Sequence, residues 1–305
     1  MYNLKNSDNL NTIKKMLLIL NPVSGTKKAA KNLADIVSVF NCADFDVRVY
    51  VTSGKGDATY AVKRFGNDAD IIVCCGGDGT LNETVIGVME NGTPVNIGYI
   101  PSGSTNDFAT SLQLPDDVTD AAKQITQGTA KEYDVGKFND KYFVYVASFG
   151  AFTKASYSTP QNAKNALGHM AYILSGIQEL SNIRNEHIRI EIDGEFIEDD
   201  FLFGAICNST SVGGILTLDN SMVNMTDGKF EILLVKSPKD LQELGECIFA
   251  LTNKKYDSKM IVFRTGSHIK ISADENLAWS LDGEKNDGDK YIEIENLNKQ
   301  FKLVH

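Results

Sequence analysis

The sequence predicts two domains, a parallel α/β domain followed by an antiparallel β domain. From Met16 to about Ile125, short apolar strands alternate with helical patterns, whereas beyond about Lys131 strand patterns follow one another with few helices. A chain of 305 residues with 42% hydrophobic content is also long enough to bury two cores. We place the first domain at residues 1–130, with residues 292–305 packing back on it, and the second at 131–291.

Four apolar runs of strand length define the predicted parallel sheet. Each is followed by a helical pattern, and the carboxyl ends of such strands are where parallel α/β sheets bind ligands. Each end carries polar or turn residues here, so the sequence predicts a nucleotide site at this edge. The predicted strands are Met16–Leu20, Val47–Thr52, Ile71–Cys75 and Val95–Ile100.

The turn after the third strand is the most informative motif. Gly76, Gly77 and Gly79 surround Asp78, and we expect these glycines to adopt positive φ angles and to let the backbone approach an anion. An acid beside a phosphate indicates a divalent cation between them, so the predicted ligand is ATP with Mg²⁺. The turn lacks the Gly-Lys-Ser/Thr ending of a Walker A loop and the third glycine of the dinucleotide fingerprint. Thr80 and Glu83 match a capping box for the following helix.

Polar loops follow the other predicted strands. The loop 21–25 combines a proline, a serine hydroxyl and a glycine, and the loop 52–58 is flexible and rich in hydroxyl groups. The loop 101–107 is dense in hydroxyls and ends in a second acid, Asp107. Four polar loops on one sheet edge are typical of a nucleotide cleft.

The predicted second domain is built from strands and hairpins. Asp193-Gly194 and Asp282-Gly283 are hairpin signals, and helical patterns are limited to Ala163–Leu180 and Leu241–Leu251. The predicted strands are Tyr142–Ser148, His187–Ile192, Phe201–Cys207, Phe230–Val235, Ile261–Phe263 and Ile269–Ser272.

Composition excludes several classes of protein. A net charge of -10 argues against nucleic-acid binding, because a polyanion would be repelled. Five cysteines without C-x-x-C spacing favour reduced thiols in the cytoplasm over disulfides or a zinc site. The apolar runs are too short for a membrane span and the polar N-terminus is not a secretory signal. The four histidines lack metal-ligand or triad spacing, and the oligomeric state stays open, a homodimer included.

Four motifs, which follow one another in a fixed order along nearly the whole chain, resemble those of a known family. They are Asn21-Pro22-x-Ser24-Gly25, Gly76-Gly77-Asp78-Gly79-Thr80 with Asn82-Glu83, Pro101-x-Gly103-Ser104-x-Asn106-Asp107, and Asp282-Gly283-Glu284. The chain resembles the bacterial diacylglycerol kinase-like lipid kinases, which are similar to sphingosine and ceramide kinases.

The resemblance implies a phosphofructokinase-like ATP-binding domain and a second, β-sandwich domain, with the substrate hydroxyl meeting the γ-phosphate between them. It implies that Asp78 organises the catalytic magnesium, that Asp107 supports the same polar network, and that Glu284 is the general base. It also implies a structural magnesium site on Asn224, Asp227 and the carbonyl of Lys229. The implied ATP contacts are Asn21, Pro22, Val23, Ser24, Gly25, Thr52, Gly76, Gly77, Asp78, Gly79, Thr80, Leu81, Asn82 and Ser104.

Two departures from the family pattern bear on these assignments. Ser104 stands where threonine is usual and keeps the hydroxyl. The segment 213–226 lacks the proline normally found before the metal loop, which leaves the conformation of that loop less restricted.

The leading hypothesis is an ATP- and magnesium-dependent kinase that phosphorylates the free hydroxyl of a membrane lipid, most plausibly diacylglycerol, during transient contact with the membrane. Sphingoid bases, phosphatidylglycerol and other lipid alcohols stay open as substrates. The alternatives are an NAD kinase, which shares the glycine-aspartate-glycine turn, and a non-catalytic nucleotide-binding regulator.

Overall fold

The computed structural model describes residues 13–92, 94–150, 185–212, 216–256 and 258–305. The chain divides into two compact units, described separately below. Unit 1 comprises Met1–Ser104, Leu114–Lys131 and Phe301–His305, and unit 2 comprises Thr105–Gln113 and Glu132–Gln300. The predicted helix Ala163–Leu180 lies outside the described residues.

Unit 1 contains a parallel sheet, as predicted. Its strands are β1 (Lys14–Leu20), β2 (Phe45–Val51), β3 (Ile71–Gly76) and β4 (Asn96–Pro101). The order is β4, β3, β1, β2, and Lys302–Val304 at the end of the chain add a fifth parallel segment beside β4. All six residues of β3 are buried, which explains its continuous apolar sequence.

Helices connect these strands and supply the other layer of the core in unit 1. Ile36 and Phe40 are fully buried and belong to the same apolar cluster as Val73 and Ile100 of the sheet. The helices are α1 (Lys28–Lys31), α2 (Leu33–Cys42), α3 (Asp57–Phe65), a 3₁₀ turn (Gly66–Asp68), α4 (Asp78–Asn91) and α6 (Val118–Gln127); α5 (Asp107–Leu112) belongs to unit 2.

Unit 2 is dominated by antiparallel strands, again as predicted. β9 is its central strand: its first half pairs with β8, and its second half lies between β7 and β12. The only helix of the second half of the chain that the described ranges contain is α7 (Leu241–Thr252), close to its predicted bounds. The strands are β5 (Ala130–Phe138), β6 (Lys141–Phe143), β7 (Val146–Gly150), β8 (Glu186–Ile192), β9 (Glu195–Cys207), β10 (Ser211–Val212), β11 (Leu216–Thr217), β12 (Phe230–Lys236), β13 (Ile261–Gly266), β14 (His268–Ser272), β15 (Trp279–Leu281), β16 (Glu284–Asn286) and β17 (Tyr291–Val304).

The prediction of a single strand over Tyr142–Ser148 was wrong. The structure has two strands, β6 and β7, separated by Val144 and Tyr145. The backbone N–H groups of these two residues donate to the carboxylate of Asp282, at 2.6 and 2.9 Å, instead of to a neighbouring strand. A distant side chain therefore interrupts the ladder, and an apolar run by itself does not reveal this.

Both predicted Asp-Gly hairpins are confirmed. Asp193 and Gly194 have φ angles of 46° and 93° and connect β8 to β9. Asp282 and Gly283 have φ angles of 49° and 84° and connect β15 to β16. Two successive positive φ angles match the right-handed twist of the flanking strands, and Asp-Gly is a preferred pair for such turns.

Aromatic side chains form the centre of the core of unit 2. Trp279 is fully buried, and its ring lies 5.0 Å from that of Phe138 and 4.9 Å from that of Phe149.

In the ranges that the structure describes, no helix is both long and apolar enough to cross a membrane.

Candidate active site

The loops after β1, β2, β3 and β4 lie at one edge of the sheet of unit 1 and are joined by backbone hydrogen bonds. The Asn21 N–H donates to the carbonyl of Cys75 at 2.9 Å, and the Ser102 N–H donates to the carbonyl of Gly76 at 2.8 Å. The Thr52 N–H donates to the carbonyl of Leu20 at 2.9 Å. These bonds bring the predicted nucleotide-binding loops together at the carboxyl ends of the strands.

The glycines of the turn after β3 are required for a different reason from the one predicted. Gly76, Gly77 and Gly79 all lack positive φ angles, so the expectation of left-handed backbone was wrong. A Cβ on Gly76 would overlap the Thr80 side chain, and a Cβ on Gly77 would lie 3.2 Å from the Cα of Gly103. The first two glycines therefore allow close packing of the loops.

Gly25 is the glycine at this edge that needs both conformational freedom and space. Its φ is +49°, and a Cβ there would lie 2.5 Å from the carbonyl oxygen of Ser102. Any side chain would therefore separate the loop after β1 from the loop after β4.

The predicted capping box of Thr80 and Glu83 is also wrong. Helix α4 begins at Asp78 with Gly77 as its N-cap and has no side-chain cap. The Glu83 carboxylate instead accepts hydrogen bonds from the backbone N–H groups of Gly56 and Ala58, at 2.7 and 3.1 Å, and so caps the start of α3. The Thr-x-x-Glu spacing is a local pattern. It cannot reveal that the Glu83 carboxylate binds the start of α3, because that helix start is far away in the sequence.

The predicted ATP-contacting residues differ in exposure. Thr80 is buried, and its hydroxyl accepts a hydrogen bond from the side-chain amide of Asn21 at 3.2 Å. Leu81 is 1% exposed and packs in the core, so its side chain faces away from solvent. Gly79 is exposed, and nothing lies within 4 Å of the position of a Cβ there. Of the remaining predicted contacts, Asn82 lies in α4, and the others lie in the loops after β1 and β4: Pro22, Val23, Ser24 and Ser104.

This edge has the chemistry of an anion site. Helix α4 has 14 residues and begins at Asp78, so its N-terminal N–H groups and dipole favour a phosphate. Across the described ranges, no group of three or more His, Cys, Asp or Glu side chains is arranged to hold a metal ion. Magnesium commonly binds one or two carboxylates together with phosphate oxygens and water, and Asp78 fits that role.

Asp107 is held within unit 2. It is the first residue of α5 and is 3% exposed, and its carboxylate accepts a hydrogen bond from the Ser211 hydroxyl. One turn further on, the Ser111 hydroxyl accepts hydrogen bonds from the N–H and the hydroxyl of Thr210, both at 3.1 Å. The second acid is therefore part of a buried polar network, with partners that the sequence did not indicate.

Glu284 is the exposed first residue of β16, directly after the Asp282-Gly283 turn. Asp282 itself is 5% exposed, and its carboxylate accepts hydrogen bonds from the N–H groups of Val144, Tyr145 and Val146. A carboxylate bound by three N–H groups fixes the turn. Sequence reasoning assigned the Asp-Gly pair to a hairpin and to a family motif and missed this role.

The predicted structural metal residues lie on a loop before β12 in unit 2. The Asn224 side-chain oxygen accepts hydrogen bonds from the N–H and hydroxyl of Thr226, at 3.2 and 2.9 Å. The Asp227 carboxylate accepts from the N–H of Lys229 at 3.0 Å. Asn224 and Asp227 are both exposed.

Glu231, which sequence reasoning missed, belongs to the same region. It is 2% exposed, and burial together with the charges of Asp227 and Asp134 raises its pKa to about 8. Its Oε2 atom has no hydrogen-bond partner in the described part of the chain. The residues fit a cation, because a buried carboxylate oxygen without a partner is costly and because carboxylate and amide oxygens are ligands of hard divalent cations. A glutamate inside the apolar run Phe230–Val235 was the signal that could have indicated it.

Comparisons with known proteins identify the family of both parts of the chain. Residues 15–138 match the diacylglycerol kinase catalytic domain, and residues 146–294 match the YegS C-terminal NAD kinase beta sandwich-like domain. A diacylglycerol kinase of Bacillus subtilis is 32% identical over 276 residues, which cover 89% of this chain and 90% of that protein. One from Staphylococcus carnosus is 32% identical over 273 residues, 89% of each chain.

Two solved structures share the fold of this chain. A putative diacylglycerol kinase from Bacillus anthracis superimposes with a TM-score of 0.79 at 29% identity, covering 96% of this chain and 97% of that one. Another structure from the same organism gives 0.79 at 28% identity, covering 96% and 98%. The chain is thus a two-domain lipid kinase with a β-sandwich-like second domain, and it belongs to the diacylglycerol kinase family.

Proposed function

We propose that this protein transfers the γ-phosphate of ATP, with magnesium, to the free hydroxyl of diacylglycerol and so forms phosphatidic acid. The observation that carries the proposal is the junction of the loops after β1, β2, β3 and β4 at the edge of the sheet where α4 begins with Asp78. The names of the relatives support a lipid alcohol as the acceptor.

In this proposal, the chain supplies positioning and charge. The backbone at Gly76–Asn82 and the loop 21–25 bind the triphosphate, and Asp78 holds magnesium, which neutralises charge on the phosphates. Glu284 accepts the proton of the lipid hydroxyl as its oxygen bonds to the γ-phosphorus. The bond from that phosphorus to the bridging oxygen breaks, and ADP leaves with the electron pair. Asp107 supports the site through the polar network that it forms with Ser211.

The lipid is presented at a membrane surface, so we infer a transient peripheral contact. The family of the second domain leaves the acceptor open, because its description refers to a sandwich shared with NAD kinases. Sphingoid bases, phosphatidylglycerol and NAD are therefore the acceptors to compare with diacylglycerol.

The test is a panel of acceptors incubated with labelled ATP, with and without magnesium. We expect label to enter phosphatidic acid only when magnesium and diacylglycerol micelles are both present. Labelled NADP, or label on a sphingoid base alone, would reject diacylglycerol as the substrate. Labelling that persists after chelation of divalent cations would reject the role of Asp78.

Glu284→Gln tests the proposed base, with Asp287→Asn as the matched control. Asp287 is also a carboxylate near this hairpin, and its side chain is 95% exposed. General-base catalysis contributes about 10²–10⁴-fold, so kcat should fall by that factor in the first variant and stay near the wild-type value in the second. Equal kcat values for the Glu284 variant and wild type would eliminate this carboxylate as the base.

A further inference from the structure

The buried carboxylate of Glu231 is incompletely partnered. Glu231 is 2% exposed, its Oε1 accepts a long hydrogen bond of 3.4 Å from the Asn224 N–H, and its Oε2 has no hydrogen-bond partner among the described residues. An ionised carboxylate in a protein interior is costly unless an opposite charge or hydrogen bonds compensate it. Either a proton or a cation must therefore neutralise this group.

The loop beside Glu231 is held firmly in place. Asp134 is fully buried; its N–H donates to the carbonyl of Met225 at 3.0 Å, and its Oδ2 accepts from the Gly228 N–H at 2.7 Å. The Asn298 amide donates both to Asp134, at 2.8 Å, and to the carbonyl of Thr226, at 3.2 Å. The oxygen atoms of this loop are thus fixed before any ligand arrives.

Three carboxylates of like charge meet in this region, because those of Asp134, Asp227 and Glu231 lie close enough for their charges to interact. Within the described part of the chain, none of the three forms an ion pair with a Lys, Arg or His side chain. Carboxylate, amide and carbonyl oxygens are the ligands that hard divalent cations prefer.

We propose that Glu231 supplies a buried carboxylate oxygen directly to a divalent cation, Mg²⁺ or Ca²⁺, held on the loop Asn224–Lys229. The resemblance to the lipid kinases assigns this loop to a structural metal through Asn224, Asp227 and Lys229 but gives no role to Glu231. The cation neutralises the unpartnered Oε2 and ties β12 to the loop. This site is separate from the magnesium that accompanies ATP, so its occupancy requires no nucleotide.

Thermal unfolding without nucleotide tests the proposal, using Glu231→Gln and, as the matched control, Glu186→Gln. Glu186 is the other buried glutamate of unit 2 that the structure describes, at 7% exposure. After removal of metals with EDTA, we expect Mg²⁺ or Ca²⁺ to raise the Tm of the wild type and of the control variant. The Glu231 variant should need at least about tenfold more metal for the same rise, because a ligand is lost.

The effect of the Glu231 substitution on stability in EDTA distinguishes a metal ligand from a side chain that has only a structural role. Without metal, the Glu231 variant should be at least as stable as the wild type, because the substitution removes an uncompensated carboxyl group. With saturating metal it should be less stable. A variant that responds to metal like the wild type, or a wild type whose Tm does not depend on metal, overturns the proposal.

Anomalous scattering from crystals of the wild type, grown with Mn²⁺ and without nucleotide, tests whether Glu231 is a metal ligand even if the variant fails to fold. We expect a peak about 2.0–2.6 Å from a Glu231 carboxylate oxygen. A peak on the loop that lacks this contact, or no peak on the loop, rejects Glu231 as a ligand.

Discussion

The carboxylate of Asp282 accepts a hydrogen bond from the backbone N–H of Val144 at 2.6 Å, across 138 residues of sequence. Two further N–H groups, from Tyr145 and Val146, donate to the same carboxylate at 2.9 and 3.0 Å. This contact interrupts the predicted strand Tyr142–Ser148 and fixes the turn that precedes Glu284. One buried side chain therefore determines both the strand boundary and the position of the proposed base.

Asp282→Asn should weaken this contact. Hydrogen bonds to a charged group contribute about 1.5–3 kcal/mol, so we expect a loss of about that size in the free energy of unfolding, measured with urea. Displacement of Glu284 should also reduce kcat by about 10–100-fold. The KM for ATP should not change, because the predicted ATP contacts, from Asn21 to Ser104, all belong to unit 1.

Asp193→Asn is the matched control for that variant. Asp193 lies in the other Asp-Gly turn and likewise accepts three hydrogen bonds, two from Ser267 and one from the His268 N–H. The Asp193→Asn variant should lose a similar free energy of unfolding, and its kcat should equal that of the wild type once the variant is folded. If both variants lose kcat to the same extent, the effect of Asp282 is not specific to the turn before Glu284.

Gly79→Ala separates folding from nucleotide binding. Gly79 lies in the first turn of α4 with nothing within 4 Å of a Cβ, so alanine should stabilise the protein by up to about 1 kcal/mol. The added methyl group would stand where the backbone should approach the phosphates, and we expect the KM for ATP to rise by at least about tenfold.

Gly245→Ala serves as the comparison, since Gly245 lies within α7 and has equally open surroundings. It should gain similar stability without any change in the KM for ATP. An unchanged KM in Gly79→Ala would mean that the nucleotide does not approach this turn.

Glu83→Ala should destabilise the start of α3. Its carboxylate satisfies the N–H groups of Gly56 and Ala58, and loss of a helix cap typically costs about 0.5–2 kcal/mol. Glu90 on the same helix forms an exposed ion pair with Lys63, and such pairs contribute about 0–1 kcal/mol. In urea unfolding, Glu90→Ala should therefore lose less stability, and the opposite order would refute the capping role.

The cysteines should differ sharply in reactivity. Cys42 is exposed and the other four are buried; burial raises the pKa of Cys74 and of Cys247 to about 12. Since the thiolate is the reactive form, a thiol reagent at pH 8 should modify one group per native chain and all five after denaturation. Cys42→Ser should abolish the fast phase, and a fast phase that survives in that variant would contradict the burial of the others.

Local patterns predicted much of the chain because they depend on neighbours in the sequence. The continuous apolar run Ile71–Cys75 is a strand buried on both faces, and the Asp-Gly pairs at Asp193 and Asp282 are hairpin turns. The four polar loops were located by the glycines, prolines and hydroxyls that follow each strand. The second acid, Asp107, was found from the composition of the loop 101–107, whereas its role and the choice of Glu284 as the base came from the family resemblance.

Most of the errors involve partners that are distant in sequence. Glu83 matched a cap for its own helix, yet it caps a helix that begins 26 residues earlier, at Asp57. Gly76 and Gly77 suggested positive φ angles, but they are required by contacts with Thr80 and Gly103.

By itself, the sequence determined the two-domain α/β and β organisation, the strands and turns, and the positions of the polar loops, because periodicity and turn chemistry are local properties. Tertiary structure alone decided that Asp282 binds the N–H groups of 144–146, that Glu83 caps α3, and that Glu231 is buried with no partner for Oε2 among the residues that the structure describes. A carboxylate takes whichever donors the fold brings to it, and folding brings these groups together from distant parts of the chain.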